Sequence, residues 1–124
     1  MANLPLQNVG KTIQWEYMLQ TALNWKITAK AGDGVMLSSS LFAKLCKRHG
    51  MQAFNYYEYP SLIKGGLQSG QVYASYEAAT CQRRHPDLLL LFHESLLPAA
   101  MPELTAESVV ILNTQSFDPQ KYPD

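Results

Sequence analysis

The chain is short of charge. Only 16% of its 124 residues are Asp, Glu, Lys or Arg, where a soluble domain averages about 25%. Ten cations balance ten anions, and no basic stripe runs through them. A surface that tracks a nucleic-acid backbone needs such a stripe, so nucleic acid is not an expected partner. There are two cysteines, Cys46 and Cys81, and no C-x-x-C pair. A disulfide framework or a cysteine-held metal site would need more. The first ten residues lack the charged and apolar regions of a secretory signal. The longest purely apolar run, residues 88–92, is far too short to cross a bilayer. These features lead us to expect free thiols and a cytoplasmic location. The low surface charge suggests that part of the surface is covered by another chain.

What is present fits one domain. Residues 1–24 read as an arm with a short helix over 11–23, in which Trp15, Met18, Leu19 and Ala22 share a face. Residues 25–30 alternate Trp25, Ile27 and Ala29 against Lys26, Thr28 and Lys30, a strand pattern. Ala31-Gly32-Asp33-Gly34 breaks it. From Val35 to His49 the period becomes helical, with Leu37, Leu41 and Leu45 on one face and Phe42 and Cys46 beside them. Asp33 suits the N-cap, Lys47, Arg48 and His49 suit the last turn, and Gly50 suits the left-handed position after it. Residues 51–59 read as an aromatic-rich strand ended by Pro60. A Gly/Ser-rich loop covers 60–70, and strand alternation returns over 71–76. The runs 88–92 and 109–112 are wholly apolar, as strands covered on both faces are. A short helix interrupted by Pro98 is expected between them. Residues 114–124 read as a tail. Buried strands alternating with helices predict an α/β fold, a three-layer Rossmann-like sandwich with a mostly parallel sheet.

Two segments carry candidate chemistry. The turn Gly32-Asp33-Gly34 stands between a strand and a helix, where backbone N–H groups can face an anion. It is equally the pattern of a tight turn. Leu37, where a third glycine would stand, departs from the dinucleotide fingerprint. The second segment is Glu58-Tyr59-Pro60-Ser61-Leu62-Ile63-Lys64-Gly65-Gly66. It gathers a carboxylate, a phenol, a hydroxyl, an amine and two glycine amides in one loop. His49, His85 and His93 show no metal spacing, and Ser38, Ser39 and Ser40 sit inside the helical stretch rather than on a nucleophile elbow. No metal set, P-loop or catalytic triad assembles from these residues, and catalytic residues are not expected in this chain.

The same segments carry a family resemblance. Ala31-Gly32-Asp33-Gly34-Val35, Leu41-Phe42-Ala43-Lys44, Gly50, the 58–66 loop, Gln71-Val72, Pro86-Asp87-Leu88-Leu89-Leu90 and Val109-Val110-Ile111 together resemble the gamma-type domain of the 2-oxoacid:ferredoxin oxidoreductases. The likeness runs over about residues 25–113. Asp33 stands where the family often has Gln, Lys30 where it often has a small residue, and Leu67 where it frequently has His. The chain also looks shorter than such domains, as a truncated one would. The resemblance implies a non-catalytic subunit or fragment of an enzyme that oxidatively decarboxylates a 2-oxoacid with coenzyme A and passes electrons to ferredoxin. It implies that thiamine diphosphate and iron–sulfur clusters sit on partner domains. It assigns Gly32, Gly34, Ser61, Lys64, Gly65 and Gly66 to contact with coenzyme A, and Glu58, Tyr59 and Pro60 to a partner interface. The residues alone leave two other readings open, a small nucleotide-binding module and a ligand-free interaction module.

Overall fold

The computed structural model describes residues 22–58 and 67–121. Strand β1 (Ala22–Lys30) leads through the glycine turn into helix α1 (Val35–Arg48), then β2 (Gln52–Glu58), β3 (Leu67–Ser75), β4 (Leu88–Leu91), the short helix α2 (Leu97–Ala100) and β5 (Val109–Leu112). One five-stranded sheet results, in the order β2-β3-β1-β4-β5. The expected 11–23 helix lies outside the described residues up to position 21. Ala22 and Leu23 belong to β1 instead.

The α/β expectation holds, and its parallel part is corrected. β1 pairs parallel with β4, and β4 with β5. β3 is antiparallel to both β1 and β2. The reason is local. Parallel neighbours need a crossover to return the chain to the same end of the sheet. Only residues 59–66 separate Glu58 from Leu67, too few for that, so β3 runs back beside β2.

Helix α1 covers one face of the sheet, against Leu23, Trp25, Ile27, Ala29, Val72 and Leu88. The Trp25 and Phe42 rings stack with centroids 4.7 Å apart. The other face is covered over β4 by the 94–104 segment, where Leu96 and Leu97 pack on Leu89 and Leu91. That segment is two 3₁₀ turns flanking α2, with prolines in the first turns of α2 and of the following 3₁₀ turn. Proline is tolerated there because its missing N–H is one of the unpaired donors of any helix start.

The orientation of α1 is the opposite of the one its leucines suggest. Val35, Ser39, Ala43 and Cys46 face the sheet. Leu37, Leu41 and Leu45 are 67%, 51% and 53% exposed, and Met36 is 52% exposed. The cause is a close approach. A Cβ placed on Gly70 of β3 would lie 2.8 Å from Ser39 Oγ and 3.2 Å from Val35 Cγ1. Only a helix face of small residues fits that gap. Ser39 can be wholly buried because its hydroxyl donates to the Val35 carbonyl at 2.8 Å.

Candidate functional site

The carboxyl ends of the parallel strands β1 and β4 lie side by side, and the expected glycine turn is there. In open α/β sheets this edge is where ligands bind. Gly32 and Gly34 adopt φ of 96° and 88°, in the left-handed region that favours glycine, and nothing lies within 4 Å of a Cβ built on either. The turn is therefore open on its outer side. Gly34, not Asp33, is the N-cap of α1, and no side chain caps the helix. This corrects the expected Asp33 cap.

Asp33 is used differently. Its Oδ2 accepts the Lys30 backbone N–H at 3.0 Å and the Nε2–H of His93 at 2.8 Å. His93 stands two residues past the last residue of β4, so one carboxylate ties the end of β1 to the end of β4. The His93 hydrogen bond, followed by that from Lys30, holds the Asp33 carboxyl below its ordinary value. The spacing of the histidines in the sequence assigns His93 no role. The signal missed was register: Thr28 pairs with Leu91, so residues just after both strands must meet.

Of the second candidate segment, Glu58 is described. Tyr59, Pro60, Ser61, Lys64, Gly65 and Gly66 lie outside the described residues. Both roots of the loop are placed, however. Glu58 pairs with Ser69 at the end of β2, and Leu67 pairs with Lys30 at the start of β3. The 58–66 loop therefore leaves and rejoins the sheet at the edge that carries Gly32 and Gly34.

Glu58 also marks the start of a polar layer that the strand alternation does not disclose. Lys26, on the face of β1 opposite Trp25 and Ile27, is 7% exposed. Its Nζ donates to Glu103 Oε2 at 2.6 Å and lies 3.9 Å from Glu58 Oε2. Beside it, Thr28 and Ser69 share a hydrogen bond of 3.0 Å, and the Gln71 amide donates to Asn24 Oδ1 at 2.8 Å. Gln82 Nε2 reaches both Gln71 Oε1 and Glu58 Oε1.

Among the described residues no three of His, Cys, Asp and Glu converge as a metal would require. Cys46 is buried, which pushes its thiol up, and Cys81 is exposed. No described helix is long and apolar enough to cross a membrane.

Comparison with known proteins agrees with the geometry. Residues 24–123 match the family model for pyruvate ferredoxin/flavodoxin oxidoreductase. Three solved structures share the fold. A 2-oxoglutarate:ferredoxin oxidoreductase from Magnetococcus marinus, with 2-oxoglutarate, coenzyme A and succinyl-CoA bound, superposes with a TM-score of 0.73 at 23% identity, over 85% of this chain and 19% of that one. The pyruvate oxidoreductase subunit PORC from Thermotoga maritima gives 0.67 at 20% identity, over 82% of this chain and 55% of that one. The gamma subunit of a keto/oxoacid ferredoxin oxidoreductase from Geobacter sulfurreducens gives 0.61 at 17% identity, over 73% and 50%. The chain thus spans between a fifth and somewhat over half of the proteins it resembles. No curated protein matches it.

Proposed function

Because the chain belongs to the pyruvate ferredoxin/flavodoxin oxidoreductase family, we propose that it serves as a non-catalytic subunit or domain of a 2-oxoacid:ferredoxin oxidoreductase, forming part of the coenzyme A entry and of the interface with its partners. The observation that carries the reading is the convergence at one sheet edge of the open Gly32/Gly34 turn and both roots of the 58–66 loop. In this reading Gly32, Gly34, Ser61, Lys64, Gly65 and Gly66 contact coenzyme A. Lys64 supplies a charge for a phosphate and the glycine amides supply donors. Asp33 at the same edge repels an anion unless its charge stays committed to His93 and Lys30, which is the arrangement present. Glu58, Tyr59 and Pro60 meet the partner. Thiamine diphosphate and iron–sulfur clusters belong to the partner subunits, and ferredoxin takes its electrons there. A cytoplasmic setting goes with this role.

The exposed row Leu37, Leu41 and Leu45 supports a covered surface. Large apolar side chains grouped on one helix face mark interaction sites. The row ends in Lys44, Lys47 and Arg48, and α1 contains no acidic residue, so the complementary surface is apolar with an acidic rim.

The test is native co-purification of the tagged chain, with thiamine diphosphate, iron and 2-oxoacid-dependent viologen reduction assayed on the eluate. We expect coenzyme A-dependent activity to co-elute. Lys64→Ala should raise the KM for coenzyme A about tenfold, the loss of one charge-assisted contact. A folded chain that elutes alone, with none of these, overturns the reading.

A further inference from the structure

At the opposite edge, where β1 and β4 begin, residues 83–85 form a cationic loop that neither the family reading nor the carboxyl-edge site uses. The loop is held from beneath by buried amides. Asn24, 2% exposed, donates through Nδ2 to the carbonyls of His85 at 2.7 Å and Arg83 at 3.3 Å. Gln71, 5% exposed, donates to the Arg83 carbonyl at 2.5 Å. Two strands thus commit buried polar side chains to the backbone of an exposed turn. Groups buried at such cost fix a geometry, and the side chains of Arg83, Arg84 and His85 are displayed by it.

Those side chains line a cleft of about 400 Å³ together with Asn24, Tyr73 and Asp87. The Arg83 guanidinium lies over the Tyr73 ring, 4.8 Å from its centroid, and one of its nitrogens donates to the Tyr73 hydroxyl at 3.4 Å. Neither arginine has a carboxylate within salt-bridge reach among the described residues. His85 Nδ1 faces the Glu103 carbonyl at 2.9 Å. A carbonyl only accepts, so Nδ1 carries the proton and Nε2 is left for the cleft side. The one anion present, Asp87, accepts the Asn24 backbone N–H through Oδ2 at 2.7 Å. Two guanidiniums against one committed carboxylate leave the cleft positive in a chain whose net charge is zero.

We propose that this cleft is a binding site for a multivalent oxyanion, a phosphate- or carboxylate-bearing small molecule held between Arg83 and Arg84. Planar guanidiniums pair with such groups through two parallel hydrogen bonds. Arg83, already stacked on Tyr73, is the preorganised partner, and Arg84 closes on the ligand. The site stands six residues along β1 from Lys30, about 20 Å from the glycine turn at strand spacing, so it does not share the coenzyme A entry.

The experiment is an amide-resolved titration of the full chain with pyrophosphate and, separately, with citrate, at low and at physiological salt. We expect saturable shifts on residues 82–87 with at least one of them, and none at Gly32 or Gly34. Arg83→Gln and Arg84→Gln should each weaken that binding about tenfold, the value of one charge-assisted contact. Tighter binding of pyrophosphate identifies a phosphorylated ligand, and tighter binding of citrate a polycarboxylate. Arg84→Gln removes an exposed side chain and serves as the variant that keeps its fold. The absence of saturable shifts with both anions, or shifts that persist unchanged in the two variants, overturns the proposal.

Discussion

The two faces of β1 are buried to nearly the same depth by opposite chemistry. Leu23, Trp25, Ile27 and Ala29 lie under α1, and Asn24 and Lys26, next to them in sequence, are as enclosed on the other side. The first face is held by close packing. The second is held by hydrogen bonds among Asn24, Gln71 and the 83–85 backbone and by the ion pairs of Lys26 with Glu103 and Glu58. The comparison teaches that burial alone does not fix how a position responds to change. On the packed face a lost atom leaves a void. On the polar face a lost partner leaves an unpaired group.

The largest effect should come from the packed face. Ile27 is fully buried, and Ile27→Ala should cost about 2–5 kcal/mol, the transfer term plus a cavity. Gly70→Val attacks the same face from the other direction. Its branched side chain meets Ser39 and Val35, and overpacking of this kind costs about 1–3 kcal/mol or more. Urea unfolding measures both. A loss well below 1 kcal/mol for each would mean that α1 is not held by this contact.

The polar face responds less, and unequally. Glu103→Ala leaves the Lys26 ammonium with Glu58 at 3.9 Å as its remaining carboxylate. Removing one member of a fully buried pair costs about 3–5 kcal/mol. Glu103 is 40% exposed on its side chain, so water offsets part of this and about 2 kcal/mol is expected. Lys26→Met removes the charge itself and keeps the stem, and should cost less than Glu103→Ala. If Lys26→Met proves the more damaging change, stranding the ammonium is not the main cost on this face, and the contrast between a lost atom and a lost partner fails.

These two faces also explain what the sequence disclosed. The alternation in residues 25–30 located the strand and its packed side, because β-branched and aromatic residues at period two have one reading. It does not disclose that Lys26 is enclosed, since nothing in the local pattern reveals that Glu103, far along the chain, folds over it. The helix over residues 35–49 was plain from its period and from Gly50, which does adopt a φ of 82°. Its buried side was not plain. Leucine outranks serine and alanine in apolarity, but the absence of a side chain at Gly70 decided which face could approach. The glycine turn was legible as an opening at a strand end. The Asp33–His93 tie was not, because it depends on which strands lie parallel.

Outward-facing α1 residues sharpen the comparison from the solvent side. Leu37→Gln and Leu41→Gln should change the unfolding free energy by no more than about 0.5 kcal/mol, as exposed substitutions do. The same pair should abolish co-elution with a partner. A stability loss of core size would place these leucines inside the fold and end their use as an interface.

The smallest effect is a titration at the carboxyl edge. Asp33 ordinarily titrates near 3.8 and is lowered here, first by the His93 hydrogen bond and then by the Lys30 N–H. A carboxyl depressed in the folded state contributes stability that is fully present above its unfolded value and is lost as pH falls through its folded value. The window therefore lies at and below pH 3.8, and nothing from this pair changes near neutrality through Asp33. Carbon-detected titration of the Asp33 carboxyl should give a midpoint below 3.8, and His93→Ala should move it upward, toward the ordinary value. The pair is part-exposed, so salt should shrink the shift without removing the hydrogen-bonded part. An unmoved midpoint in His93→Ala would show that β1 and β4 are not tied at their ends by this contact. The edge that presents the glycine turn would then depend on the strand ladder alone.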